Sequence, residues 1–241
     1  MRQRLFSLVV IILLVGSGGS RLHAQSTPTI TIPLTVQDVT GIARTADPVT
    51  SGVPIPSSTV GDSWRLLDGA TEVPVQTKVL GGQTTPWLLV DFPANLSSNT
   101  TKTFTLQNIP PTSSTSGIIY QHTSSTETVT TGPLKFIIGT SPFVGIQSLW
   151  YDQNNDGVFD VSEQRISSGS ASALHVVDAE TSASVNADST PSLVTWEDQG
   201  PQRGTLRIDG AFTESNATLL NYSLRITAWG GRSDLGFNLL L

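Results

Sequence analysis

Asp152, Asn154, Asp156, Val158, Asp160 and Glu163 stand at the spacing of a twelve-residue calcium loop, within Asp152-Gln-Asn-Asn-Asp-Gly-Val-Phe-Asp-Val-Ser-Glu163. Asp152, Asn154 and Asp156 occupy positions one, three and five, so alternate side chains direct their oxygens toward one centre. Gly157 at position six permits the sharp turn, and Val158 at seven contributes only its backbone carbonyl. Asp160 falls at position nine, and Glu163 at twelve can close the shell with two oxygens. This is the donor set of a hard cation, rich in oxygen and without thiolate or imidazole. Asp, Asn and Gly also dominate turns that hold no ion, but turn chemistry gives no reason for a glutamate at position twelve. Phe159 is the apolar residue expected to anchor the loop to a core. Structural Ca²⁺ is therefore the cofactor expected here.

No comparable set for catalysis occurs. His122 and His175 are the only histidines outside the first 24 residues, and neither has a partner recognisable in the sequence. His175 sits in the apolar run Leu174-His175-Val176-Val177 and reads as a core or edge residue. Glu197 and Asp198 are adjacent, so on a regular strand they point to opposite faces and cannot flank a glycosidic bond together. Asp178 and Glu180 can share a face, which a solvated hairpin explains more simply. The catalytic set is read as empty. Of the tryptophans Trp64, Trp87, Trp150, Trp196 and Trp229, all fall in or beside strand patterns and are expected to be mostly core. Trp150-Tyr151 abuts the calcium loop, where an exposed aromatic ring could stack on a sugar.

The chain around these residues begins with a basic start (Arg2, Arg4), an apolar run from Leu5 to Val15 and Leu22-His23-Ala24 before Gln25. This is the pattern of a secretory signal over residues 1–24. The run is shorter than the roughly 20 residues of a membrane span. The expected product is secreted, extracellular or periplasmic, with no membrane association after cleavage. Removing Arg2, Arg4 and Arg21 from the 13 basic residues leaves 10 against 19 acidic, a net charge of −9. That balance argues against a nucleic-acid partner, which requires clustered Lys and Arg. There are no cysteines, so neither disulfides nor thiolate metal sites are available.

Strand patterns dominate and helical periodicity is almost absent. Thr29–Val36 and Lys102–Gln107 alternate polar and apolar residues, Trp64–Leu67 and Val73–Val79 flank the turn Asp68-Gly69-Ala70, and Trp87–Phe92 is a short apolar run ended by Pro93. Later, Leu206, Ile208 and Phe212 fall on one face of a strand, with Arg207 and Asp209 on the other. Tyr222, Leu224, Ile226 and Ala228 repeat the pattern. The expected fold is all-β: a small N-terminal β-barrel over residues 25–109, a Ser/Thr/Pro-rich connection over 110–131 and an antiparallel β-sandwich over 132–241. Residues 118–131 read either as a strand pair or as continued connection. The calcium hairpin at 152–163 belongs to the sandwich. The apolar finish Gly236–Leu241 reads as a strand of a truncated sandwich.

Val49-Thr-Ser-Gly-Val-Pro-Ile-Pro56, Trp64-Arg-Leu-Leu-Asp-Gly-Ala-Thr-Glu-Val-Pro-Val-Gln76 and Trp87-Leu-Leu-Val-Asp-Phe92 together resemble the N-terminal domain of the secreted rhamnogalacturonan exolyase and YetA-like family. Glu197-Asp-Gln-Gly-Pro-Gln-Arg-Gly204 and Leu224-Arg-Ile-Thr-Ala-Trp-Gly-Gly231 resemble its next domain. The resemblance implies a RIFT-type β-barrel followed by a large β-sandwich, and a carbohydrate-related origin with pectic polysaccharide as partner. The helical toroid of family enzymes has no counterpart in this chain, and no catalytic position carries over. Together these readings give a secreted, non-catalytic β protein with one structural calcium, the N-terminal portion of a polysaccharide-lyase-like protein. The alternative is a stand-alone calcium-dependent carbohydrate-binding or surface-interaction module.

Overall fold

The structure, a computed structural model, describes residues 29–81, 85–112, 117–167, 174–177, 179–180, 182–188, 190–214 and 217–241. The leader expected at 1–24 and Asp178 lie outside the described residues. Among the described residues, all regular structure beyond two short 3₁₀ turns is β, as the alternation predicts. No helix among the described residues is long and apolar enough to cross a membrane.

The first seven strands are β1 (Thr31–Gln37), β2 (Arg44–Pro54), β3 (Arg65–Asp68), β4 (Thr71–Val73), β5 (Gln76–Leu80), β6 (Trp87–Leu96) and β7 (Thr101–Gln107). They form two antiparallel sheets, ordered β1-β7-β3-β4 and β2-β6-β5. Between them lies one core built on Trp64, Leu66, Leu88, Val90, Phe92, Phe104 and Leu106. Each large side chain buried there stabilises by about 1.5–3 kcal/mol. Two boundaries differ from expectation. The Val73–Val79 run divides at Pro74-Val75 into β4 and β5, which lie in different sheets; a proline inside a strand removes the ladder donor and favours a break. Pro93, by contrast, does not end β6, because it stands opposite Pro48 in the register. Neither residue has an N–H, so the two suit a position where the ladder makes no hydrogen bond.

Asp38, just after β1, ties two loops of this unit together. Its Oδ1 accepts from the Thr40 N–H at 3.0 Å and hydroxyl at 2.7 Å; its Oδ2 accepts from the N–H groups of Gly41 (3.0 Å) and Asn99 (2.8 Å). The Thr40 hydroxyl, followed by the backbone donors of Asn99, Thr40 and Gly41, lowers the Asp38 pKa from 3.8 to about 2. A carboxyl lowered on folding contributes stability above its unfolded pKa and loses it as pH falls through the folded value. Asp38→Asn is therefore expected to flatten the acid limb of the stability curve between about pH 4 and pH 2. Denaturant midpoints across that range test this; an unchanged limb would assign the acid sensitivity elsewhere.

The second group comprises β8 (Ile119–His122), β9 (Thr126–Thr130), β10 (Leu134–Thr140), β11 (Phe143–Tyr151), β12 (Gln164–Ile166), β13 (His175–Val177), β14 (Ser184–Asn186), β15 (Leu193–Gln199), β16 (Arg203–Glu214), β17 (Ala217–Trp229) and β18 (Leu235–Leu240). One sheet has the order β12-β11-β10-β9-β8 and the other β15-β16-β17-β18, with β13–β14 as a separate pair. The expected connection over 110–131 is thus shortened, since its Thr-rich part supplies β8 and β9. Threonine branches at Cβ and packs well on a pleated surface, so composition alone did not separate strand from linker. Phe136, Ile138 and Phe143 from one sheet meet Leu206, Ile208, Phe212, Leu224 and Ile226 from the other.

The two groups meet at the turn between β15 and β16. Gln76 Oε1 accepts from the backbone N–H groups of Gln202 (2.9 Å) and Arg203 (2.8 Å). Gly200 lies against that amide so closely that a Cβ would come within 2.2 Å of it. Lys78 Nζ donates to the Glu197 carbonyl at 2.7 Å and to Asp198 at 2.9 Å. Arg203 reaches back to Asp91 (3.1 Å) while also pairing Asp198 (2.9 Å).

Candidate metal loop and its surroundings

The segment 152–163 connects β11 to β12, which pair as an antiparallel hairpin. Asp152 N–H donates to the Pro133 carbonyl at 2.9 Å, fixing the start of the loop to the β9–β10 turn. Asp152 Oδ1 accepts from Asp156 N–H at 3.3 Å and its Oδ2 from Gly157 N–H at 2.9 Å. Asn154 Oδ1 accepts from Asp156 N–H at 3.0 Å, and Asp156 Oδ1 from Val158 N–H at 2.8 Å. Successive Asx-type bonds of this kind coil the chain around its own side-chain oxygens. The coil requires left-handed backbone at Asn155 (φ 58°) and Gly157 (φ 78°), and Asn and Gly are the residues that adopt it most readily.

Glu163 closes the loop from its far end. It lies in a 3₁₀ turn, Val161–Glu163. Its Oε1 accepts from Gln153 N–H at 2.9 Å and its Oε2 from Asp160 N–H at 3.3 Å. Glu163 is thereby tied to the residue that follows Asp152, the first of the expected ligands. Asp152 and Glu163 are only 4 % and 6 % exposed, whereas Asn154, Asp156, Val158 and Asp160 face solvent. No ion pair involves Asp152, Asp156, Asp160 or Glu163 among the described residues. No group of three Asp, Glu or His side chains converges as a cation cage among the described residues either. The loop carboxylates turn oxygens to loop N–H groups, and the remaining donors of the expected set are an amide and a backbone carbonyl. A carboxylate offers about four lone-pair sites, so acceptor capacity remains after these bonds. Phe159 is half-buried, and Lys135 Nζ lies over both its ring (5.8 Å) and that of Trp150 (5.2 Å), which packs the loop onto β10.

The other residues singled out in the sequence have defined surroundings. His122 is not without a partner, as the sequence suggested: its Nδ1 is hydrogen-bonded to Glu127, its cross-strand neighbour on β9. Its Nε2 lies 2.8 Å from the Gln199 side-chain amide, and Trp196 Nε1 donates to Glu127 at 3.1 Å. With the Tyr120 ring edge-on to Trp196 at 4.9 Å, these residues close one side of the sandwich between β8–β9 and β15. Both imidazole nitrogens are engaged. The signal that could have found the pair was its five-residue separation across a tight Thr-Ser turn. His175 is an exposed residue of the short β13–β14 pair, not a core one.

Glu197 and Asp198 straddle a register shift in β15 and take different partners. Glu197 holds Arg225 through two bonds (2.7 and 2.8 Å), and that guanidinium lowers its pKa. Asp198 pairs Lys78 and Arg203 instead. Trp64 is buried and Trp150, Trp196 and Trp229 are half-buried, but Trp87 is exposed; it covers the bare Gly52 on the adjoining strand.

No family model matches this chain, and no curated protein matches it. Solved structures do. A protein in the glycosyl hydrolase family 38 from Enterococcus faecalis superposes with a TM-score of 0.53 at 10 % identity, over 87 % of this chain and 31 % of that one. An alpha-mannosidase from Enterococcus faecalis V583 matches 87 % of this chain and 30 % of its own length, with a TM-score of 0.44 at 9 % identity. The chain thus spans about a third of the length of these structures. At such identity the first likeness establishes shared all-β architecture.

Proposed function

We propose that the chain is an exported, non-catalytic β protein stabilised by one structural Ca²⁺ in the 152–163 loop and serving a carbohydrate-related role. The observation that carries this reading is the loop's coil. Side chains at positions one, three and five accept hydrogen bonds from the N–H groups of Asp156, Gly157 and Val158, which coils the loop around them, and a buried Glu163 is bonded back to position two. Asp152, Asn154 and Asp156 would supply side-chain oxygens, Val158 its carbonyl, Asp160 a side chain directly or through water, and Glu163 two oxygens. The ion's chemistry would be electrostatic: it would neutralise acidic side chains that have no basic partner among the described residues and tie β11 to β12.

The carbohydrate part rests on two supports. The fold is like that of a protein in glycosyl hydrolase family 38. The motifs resembling the rhamnogalacturonan exolyase and YetA-like family place Gly52, Gln76 and Asp91 on the β2-β6-β5 sheet, with Asp91 and Gln76 directly opposite each other. Pectic polysaccharide is the partner this reading names.

Extracellular calcium loops bind at about 10⁻⁴–10⁻³ M, so 10 mM Ca²⁺ stands roughly 10–100 Kd above the apo state. Linkage then gives about 1.4–2.7 kcal/mol of stabilisation. For a chain of this size that is a rise in Tm of about 3–10 °C. Melting after chelation and again at 10 mM Ca²⁺ tests it, with Glu163→Gln, which keeps the hydrogen-bond acceptor, as the variant that should abolish the difference. Equal melts for the parent chain would reject the ion.

A further inference from the structure

Among the described residues, the side of the sandwich opposite the His122–Trp196 seam is open. There β11 and β12 face β18 across a cleft of about 590 Å³. Leu235, Phe237 and Leu239 of β18 are registered with Ala228, Ile226 and Leu224, whose side chains are buried in the core. They therefore belong to the inward face of the sheet. Yet Phe237 is 58 % exposed, because the opposing sheet does not reach over it. Tyr151, 38 % exposed, stands on the facing wall.

Among the described residues lining the cleft, Arg165 is the only charged one. Its Nη2 donates to Gln153 Oε1 at 2.8 Å and its Nη1 to the Ser162 carbonyl at 3.4 Å, and it takes part in no ion pair among the described residues. In a chain of net charge −6, five of the seven described arginines are paired with carboxylates. Arg165 is held in place by neutral groups and keeps donors for a ligand. Its fork geometry matches a carboxylate.

We infer that this cleft binds an acidic saccharide, with sugar ring faces against Tyr151 and Phe237 and a uronate carboxylate on Arg165. Aromatic walls with a single polar anchor suit a ring that is apolar on its face and charged at its edge. The inference rests on the carbohydrate part of the proposed function and not on the ion. However, Tyr151 immediately precedes the calcium loop and Arg165 follows it by two residues, so the loop's ends set the wall of the cleft.

The test is calorimetric titration of the full chain with the α-1,4-linked tetramer of galacturonic acid and with its neutral methyl ester, at low salt. The acid should bind and the ester should bind at least about tenfold more weakly, the loss of one charge-assisted bond. Arg165→Gln should weaken the acid by about 10–100-fold and leave the ester unchanged. Phe237→Ala should weaken both by about tenfold. Both side chains are exposed, so the variants should melt like the parent. Equal binding of acid and ester would overturn the role of Arg165. Binding unaffected by either variant would place the saccharide elsewhere, overturning this site while leaving the carbohydrate reading intact. Binding of neither oligomer would overturn the site and remove that reading's pectic partner. A dimer in sedimentation that Phe237→Ala dissolves would instead assign the cleft to a second copy of the chain.

Discussion

Arg203→Ala is expected to destabilise the chain by about 3–5 kcal/mol, because it leaves a buried carboxylate without its cation. Arg203 sits where β16 begins and reaches Asp91 on β6 and Asp198 on β15. The Asp91 side chain is 4 % exposed, and burial raises its pKa even though Arg203 and a hydrogen bond from Thr50 oppose that rise. Arg203 Nε lies 3.1 Å from Asp91 without the alignment of a hydrogen bond, so their interaction is chiefly coulombic. A carboxyl whose pKa is raised on folding weakens stability as pH rises through its titration, and removing Arg203 raises it further. The loss should therefore be largest at neutral pH and shrink on acidification, as Asp91 takes up a proton. Chemical denaturation of both proteins across pH measures this directly. A loss that is small at pH 7, or the same at every pH, would show that Asp91 is not held as a charge by Arg203.

The second large effect is expected at Gln76. Its Oε1 is the acceptor for two backbone N–H groups of the 199–203 turn, and the residue is itself buried. Gln76→Met keeps the stem and most of the volume but removes that oxygen. Each orphaned donor costs about 1–3 kcal/mol, so a loss of roughly 2–6 kcal/mol is expected for the two. The Gln202 and Arg203 amides should also exchange hydrogen faster than those of central β16. If their protection is retained, the turn is satisfied by something other than Gln76. Gly200 belongs to the same arrangement, since a side chain there would collide with the Gln76 amide.

These two residues also mark where the sequence was and was not legible. Leu206, Ile208 and Phe212, and Tyr222, Leu224, Ile226 and Ala228, were readable as buried faces because period-two alternation is imposed locally by the pleat. The all-β class followed from the same signal. The segment Glu197–Gly204 stood out as a motif, yet nothing local shows that it receives Gln76, more than 120 residues earlier. Contacts of that range depend on how sheets stack. The same holds for the cleft, whose openness arises from one sheet stopping short of β18. Glu127 as the partner of His122 lay within reach of sequence reasoning, but only once β8 and β9 were recognised as a hairpin. Threonine-rich composition hid that by serving equally well in strand and linker.

In the 152–163 loop, residue types and spacing made the local geometry legible. Asx-type bonds form between near neighbours, so they follow from residue type and spacing with little help from the rest of the fold. What the fold adds is the anchoring of Asp152 on the Pro133 carbonyl and of Phe159 under Lys135.

Calorimetric titration of Ca²⁺ into the chelator-treated chain tests the central claim most directly. One site with a Kd of about 10⁻⁴–10⁻³ M, lost in Glu163→Gln, is the expected result. Absence of binding up to 10 mM, or binding that survives Glu163→Gln unchanged, would contradict calcium as the ligand of the 152–163 loop.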